Sequence, residues 1–293
     1  MTARLFVASP YFTFLYKVLY NMVMATVAPV SVSISRYERW YQHFRERRDF
    51  LLPQPWHDAY FLCATERLLV ARSIQQFQLG EWARGRGLVR RAHAIPFLSA
   101  DPWFLPSLQL FIGEEQHHSG MLGLFLDRER VPRLSSHWVD RIFRRLRKLA
   151  GLEFTVTVLV TAEVLAVPFY QALRDATNSR LLRSICTRIL SDEADHLNYQ
   201  ALTLGLIHSR LSNKARVIRL LCHSALFHCS ALLVWQQHRR VFGGAGWDFV
   251  RFWSYAHREF ALFQLRIRDE YARGSVSESL ASLAPLNKAG VRS

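Results

Sequence analysis

The chain has 293 residues, half of them hydrophobic and 13% aromatic, which excludes wholesale intrinsic disorder and allows a large buried core. Its formal net charge of +15 predicts a surface that attracts anions, such as phosphate, anionic lipid or an acidic protein. The four cysteines form no Cys-x-x-Cys pair, so the sequence favours buried free thiols in a reducing compartment over a disulfide framework or a zinc site.

Long stretches lack glycine and proline, which favours helices over short strands. Residues 1–55 are predicted to form an apolar and basic extension. The helices that follow should span about Trp56–Trp82, Trp103–Asp127, His137–Leu149, Leu152–Asp175, Ser179–Arg210, Lys214–Val241 and Asp248–Arg273. We therefore predict an all-α fold with a bundle over residues 56–210, a helical pair packed on it over 211–273, and a disordered tail over 274–293.

Two uncharged segments, Val18–Ser35 and Leu220–Gln237, approach the length of a membrane span. The first contains Asn21 and Pro29, and the second contains two histidines and two glutamines. Such polar content favours buried or interfacial helices over membrane-spanning ones. Peripheral contact with a membrane stays an alternative, because a basic and aromatic-rich surface suits it.

Acidic residues and histidines recur along the predicted bundle in the order Glu, Glu-x-x-His, Glu, Glu-x-x-His. Residues three apart lie on one helix face, so each Glu-x-x-His can present an oxygen and an imidazole to one metal ion. Four-helix di-iron and di-manganese bundles use one Glu from each of two helices and one Glu-x-x-His from each of the others. The second helix allows two registers, Glu115 with His118 or Glu114 with His117, and the other candidates are Glu66, Glu163, Glu193 and His196.

Glu163 is the strongest single indication of a metal. It is the only charged residue from Phe154 to Leu173, within a helix that is apolar on all sides and therefore predicted to be buried. A lone buried carboxylate is unfavourable unless it is paired, protonated or metal-bound. The alternatives are an arginine partner for Glu163 and, for Glu66, an ordinary place on a surface.

The motifs Glu114-Glu115-Gln116-His117-His118 and Asp192-Glu193-Ala194-Asp195-His196 resemble those of the ferritin-like di-iron carboxylate superfamily. The first is similar to the acyl-carrier-protein desaturase signature. The second resembles the signature of desaturases, ribonucleotide reductase small subunits and arylamine N-oxygenases. The resemblance implies that the second acid of each doublet is the ligand. Glu114 and Asp192 then become outer partners of the ligating imidazoles.

The resemblance implies two iron ions, with manganese as the alternative metal, and O2-dependent hydroxylation, desaturation or N-oxygenation of an organic substrate, either free or carrier-bound. Such an enzyme needs an electron donor, and a homodimer is an open alternative to a monomer. Other functions left open are iron handling or peroxide scavenging without oxygenation, and a membrane-associated interaction protein. The expected location is the cytoplasm, with peripheral contact at the inner membrane face as the alternative. An acidic carrier protein, RNA or anionic lipid would suit the positive charge.

Overall fold

The computed structural model describes residues 35–49, 54–82, 85–147 and 150–283, and these residues form helices and connecting loops without any strand. The all-α prediction is therefore confirmed for this part of the chain. Most of the predicted N-terminal extension, including nearly all of Val18–Ser35, lies outside the described residues, and so do residues 284–293. The helices are α1 (Arg36–Asp49), α2 (Ala64–Glu81), α3 (Arg86–His93), α4 (Pro96–Ser99), α5 (Phe104–Arg128), α6 (Trp138–Leu146), α7 (Leu152–Asp175), α8 (Arg180–His208), α9 (Asn213–Gly244) and α10 (Phe249–Leu283).

Two helix pairs build the centre of the molecule. Helix α2 packs on α5, α7 packs on α8, and α5 contacts α8 between the pairs. Helix α9 lies against α7 and α2, whereas α10 lies against α8 and α7. The C-terminal pair therefore packs on the central helices, which carry the residues singled out in the sequence.

Direct side-chain contacts fix how the central helices align. Between α2 and α5, the Gln78 amide donates to Ser119 Oγ at 3.0 Å, and that hydroxyl donates to the Gln78 carbonyl oxygen at 2.8 Å. Phe77 of α2 stacks on Phe169 of α7 with ring centroids 3.6 Å apart. These contacts bring the C-terminal end of α2 level with the middle of α5 and α7.

Several helix boundaries differ from those predicted. The first bundle helix begins at Ala64, because Trp56–Cys63 forms turns and loop, with the Tyr60 amide donating to the Asp58 carboxylate at 3.2 Å. The connector before α5 contains the short helices α3 and α4. The last helix continues to Leu283, so residues 274–283 are helical rather than part of the predicted tail.

Helices α7 and α9 are both long and apolar enough to cross a membrane, but they differ in burial. The most apolar 18-residue window is 67% buried in α7 and 22% buried in α9. Core packing therefore accounts for the hydropathy of α7. In α9 the outer face remains apolar and exposed, with Val217, Ile218 and Leu221 more than half exposed.

The cysteines are free thiols, as predicted, but most are not buried. Cys186 lies in the core, whereas Cys63, Cys222 and Cys229 are exposed. The prediction of buried thiols is wrong for these three, because an apolar sequence context does not show which face of a helix meets solvent.

Gly205 permits a close approach between α8 and α10, and its substitution should test this packing. A Cβ atom there would lie 2.5 Å from Glu270 Cβ and 2.9 Å from the Tyr271 backbone nitrogen. We expect Gly205→Ala to lower the free energy of unfolding by about 1–3 kcal/mol through overpacking. The control Gly120→Ala meets no atom within 4 Å and should raise it by up to about 1 kcal/mol through helix propensity. Urea denaturation of both variants checks this, and equal responses would contradict the packing.

Candidate metal centre

Four predicted ligands meet between α5 and α8. Glu115, His118, Glu193 and His196 each offer a ligand atom, and these atoms all lie within 4.8 Å of one another. In both helices the three-residue spacing puts acid and imidazole on the same face. The three residues other than Glu115 are buried, so this group could hold a metal ion away from bulk water.

Each imidazole is held on its outer side by an acid from the other helix. That acid is the residue directly before the candidate glutamate ligand of the other helix. His118 Nε2 lies 3.0 Å from Asp192 Oδ2, and His196 Nε2 lies 2.9 Å from Glu114 Oε2. An Nε2–H that donates to a carboxylate leaves Nδ1 as the lone-pair donor that a metal needs. The two helices therefore orient each other's ligands.

Several atoms that face the centre have no hydrogen-bond partner among the described residues, namely His118 Nδ1 and both carboxylate oxygens of Glu193. His196 Nδ1 lies 2.8 Å from Glu115 Oε1, close enough for the two atoms to share a proton. Buried polar atoms are normally satisfied, so several acceptors without a donor around one point favour a cation as their common partner. This donor set, oxygen and imidazole nitrogen, fits a divalent transition metal.

Asp192 is itself fixed by arginines from two helices. Arg188 Nε donates to Asp192 Oδ2 at 2.8 Å, and Arg47 of α1 donates to Oδ1. Burial alone would raise the pKa of Asp192, but hydrogen bonds from His118 and Arg188 hold it below its ordinary value. Asp192 thus stays ionised and keeps His118 oriented.

Glu163 lies beside this group, as predicted, and is almost fully buried. The Gln200 amide donates to one of its oxygens. Burial and the negative charges of Glu115 and Glu193 raise its pKa well above the ordinary range. Without a cation, Glu163 therefore binds a proton more tightly than an exposed glutamate does.

A further carboxylate, Glu81 at the end of α2, lies next to Glu115 of this group, and the sequence reasoning missed it. Burial, Glu115 and Glu193 raise its pKa well above the ordinary range, and it shares a hydrogen bond with Glu115. Tyr170 donates its hydroxyl to Glu81 Oε1 at 2.8 Å. Glu81 and Glu66 lie on the same helix, but it is Glu81 that lies next to Glu115.

Glu66 is not brought to the centre. It precedes Glu81 by 81 − 66 = 15 residues of one helix, or roughly 22 Å at the α-helical rise. Its carboxylate accepts hydrogen bonds from the Thr177 hydroxyl at 2.5 Å, the Asn178 amide at 2.8 Å and the Tyr60 hydroxyl at 2.5 Å. Glu66 therefore joins the start of α2 to the loop before α8.

Sequence spacing carried a signal for Glu81. In the second half the single Glu precedes its Glu-x-x-His by 193 − 163 = 30 residues, and Glu81 precedes Glu115 by 115 − 81 = 34. Glu66 lies 115 − 66 = 49 residues away, which requires an unequal connector. Two similar helical hairpins predict similar separations, and that symmetry favours Glu81.

A cavity of about 550 Å³ adjoins the centre, within the size range of small-molecule sites. Its lining includes the carboxylates Glu81, Glu115, Glu163 and Glu193. Its walls are largely apolar, and they include Phe77, Leu88, Phe111, Ile112, Phe143 and Leu159. The candidate metal centre therefore opens onto a space that an organic molecule can enter.

Comparison with protein-family models, curated proteins and solved structures finds no match for this chain.

Metal content should distinguish Glu81 from Glu66. We expect Glu81→Gln to lose at least one metal equivalent per chain after dialysis, because a carboxylate facing the centre is removed. Glu66→Gln should retain the metal and lower stability by about 1–3 kcal/mol, since three hydrogen bonds are disturbed. Elemental analysis and urea denaturation measure both effects. Metal loss in Glu66→Gln alone would restore the sequence-based assignment.

Metal affinity should rise with pH. In the metal-free chain the pKa values of Glu81, Glu163 and Glu193 are raised, mainly by burial. Burial opposes a raised pKa of His196, but hydrogen bonds to Glu114, Glu115 and Glu193 raise it. These groups hold protons that a metal ion must displace, so affinity is lost as pH falls through the raised pKa values.

Calorimetric titration with Co(II) in buffers of different ionisation enthalpy measures this release. We expect more than one proton per chain, and the apparent affinity should change about tenfold per pH unit for each proton released. Affinity independent of pH between 6 and 8 would contradict the coupling.

Proposed function

We propose that the protein is an O2-activating di-iron oxygenase or oxidase with a ferritin-like four-helix core. The observation that carries the proposal is the group of Glu115, Glu193 and two imidazoles anchored from outside, beside a cavity that Glu81 and Glu163 also line. In this arrangement α2 and α7 each supply one Glu, whereas α5 and α8 each supply Glu-x-x-His. That is the ligand pattern of di-metal carboxylate bundles, with Glu81 in place of Glu66.

The donor set supports two iron ions. Carboxylate oxygens with only two imidazoles and no thiolate suit Fe(II) or Mn(II) better than copper or a thiolate-bound zinc. Four carboxylates balance the charge of two divalent ions, so a pair of ions removes the repulsion among Glu81, Glu115, Glu163 and Glu193. A single ion would leave two negative charges buried.

When bound, two irons would supply electrons and a site for O2; the chain supplies orientation and protection. Tyr170 and Gln200 hold the carboxylates of Glu81 and Glu163 from the side. Burial raises the pKa of both carboxyl groups. Either group can therefore take up a proton whenever the positive charge that the metal ions place next to it decreases. The apolar cavity walls keep water from the reacting atoms.

The cavity favours substrate oxidation over iron storage. A storage site needs a route for ions, whereas this cavity carries Phe77, Phe111 and Leu159 beside the carboxylates. Apolar and aromatic walls with a few polar groups are typical of sites for organic ligands. Iron handling therefore fits the cavity less well than oxidation of an organic molecule.

Anaerobic loading with Fe(II), followed by O2, tests the proposed function. We expect two irons per chain, oxidation much faster than that of Fe(II) in buffer, and an antiferromagnetically coupled Fe(III) pair by Mössbauer spectroscopy. Glu163→Gln should abolish the fast phase. Its control Glu153→Gln changes the same helix where Glu153 faces His208 at 3.2 Å, and should react normally.

Two outcomes would contradict the proposal. Accumulation of iron far beyond two ions per chain during repeated Fe(II) and O2 additions would indicate storage. If two irons are bound but Fe(II) is oxidised no faster than in buffer, the protein does not activate O2.

A further inference from the structure

We propose that the cavity takes an amphipathic anion, whose carboxylate or phosphate binds Arg147 while its apolar part extends toward the metal centre. This inference deepens the proposed function and rests on it for the identity of the bound molecule as substrate. It is carried by the positive charges that line the same cavity as the carboxylates.

Arg147 is the cation with the strongest claim to a ligand. It follows the last turn of α6 and lines the cavity. Within the described part of the chain, its guanidinium makes no hydrogen bond or ion pair. Burial and the neighbouring charge of Arg144 lower its pKa, although Asp140 and Glu115 oppose this. A half-buried guanidinium without a partner has lost hydration that an anion would replace.

The nearest acid does not neutralise Arg147, because it is already paired. Asp140 receives the Arg144 Nε at 2.8 and 2.7 Å through its two oxygens. Arg144 also donates to the backbone oxygens of Leu79 at 3.2 Å and Trp82 at 2.8 Å. The Asp140–Arg144 pair is therefore complete, and the charge of Arg147 remains.

The acids of the metal centre do not neutralise Arg147 once metals are bound. In the metal-free chain, Glu115 acts on the pKa of Arg147 through its charge. Two divalent ions would cancel the four cavity carboxylates, and Arg147, together with Arg86 and Arg91 of α3, would then leave the cavity lining net positive. Metal loading should therefore strengthen anion binding.

A stretch of backbone that lines the same cavity favours the same ligand. Gly85, Arg86, Gly87 and Leu88, the first turn of α3 and its preceding residue, line the cavity. Gly85 adopts a positive φ of 65°, and a Cβ there would lie 2.6 Å from Ile112, so glycine keeps this turn against the cavity wall. The positive end of a helix dipole adds to the field of Arg147.

Apolar side chains line the same cavity as the two charged groups. They include Phe77, Phe111, Phe143 and Leu159, and they share the cavity with the arginines of α3 and α6 and with the carboxylates of the centre. A molecule bound by its anionic group at Arg147 would place its apolar part against these side chains. The arrangement selects for a molecule with one charged end.

Calorimetry with three probes of equal chain length tests the inference: octanoate, octyl phosphate and octanamide. The full chain is used both loaded with Mn(II) and metal-free. We expect at least one anion to bind about tenfold or more tightly than octanamide, and Mn(II) to increase this preference. The two anions distinguish a carboxylate from a phosphate group.

Arg147→Gln should weaken anion binding about tenfold and leave octanamide unchanged. Arg147→Lys should retain part of the anion preference, which provides a second variant if Arg147→Gln folds poorly. The matched control is Arg145→Gln, because Arg145 is exposed on the same helix and does not line the cavity.

The inference is overturned if neither anion binds, if octanamide binds as tightly as both anions, or if the two Gln variants weaken binding equally. These outcomes are separate from failure of the proposed function. If anion binding depends on Arg147 but the bound iron is not oxidised by O2, the proposed oxygenase function is wrong and the anion site is confirmed.

Discussion

Repulsion among buried carboxylates is the interaction on which the rest of the structure depends. Glu81, Glu115, Glu163 and Glu193 face one space. Glu163 and Glu193 are buried and the other two are half-buried, so each has lost much of the water that would stabilise its charge. In the metal-free chain, proton binding to some of these carboxylates reduces their repulsion. The pKa values of Glu81 and Glu163 are raised, chiefly by burial, whereas hydrogen bonding to His196 overcomes burial and lowers that of Glu115 to about 2. A pair of divalent ions removes the same repulsion without protonation.

The helices around this group serve to hold it in one geometry. Two hydrogen bonds, between Glu114 and His196 and between Asp192 and His118, join α5 to α8. Arg47 extends the network to α1 through Asp192 and Asp195. Because both imidazoles of the candidate centre are fixed from behind, the group is preorganised, and binding a metal would require loss of protons more than movement of the chain.

The sequence predicted those parts of the site that depend on local periodicity. The Glu-x-x-His spacing places Glu115 with His118 and Glu193 with His196, and the apolar context of Glu163 predicts its burial. The identity of the remaining carboxylate depends on where α2 ends relative to α5, which is fixed by tertiary contacts such as Gln78–Ser119. The local sequence pattern favoured Glu66, because it does not distinguish a glutamate at the start of a helix from one at its end. The exposed thiols of Cys222 and Cys229 escaped prediction for a related reason, since hydropathy does not show which face is packed.

Anomalous X-ray diffraction at the iron absorption edge, on crystals of the Fe(II)-loaded protein, tests the central assignment most directly. Two anomalous peaks should lie among Glu81, Glu115, Glu163 and Glu193, with one peak next to His118 Nδ1 and the other next to His196 Nδ1. A single peak, peaks bound through Glu66, or iron confined to the protein surface would contradict the di-metal centre.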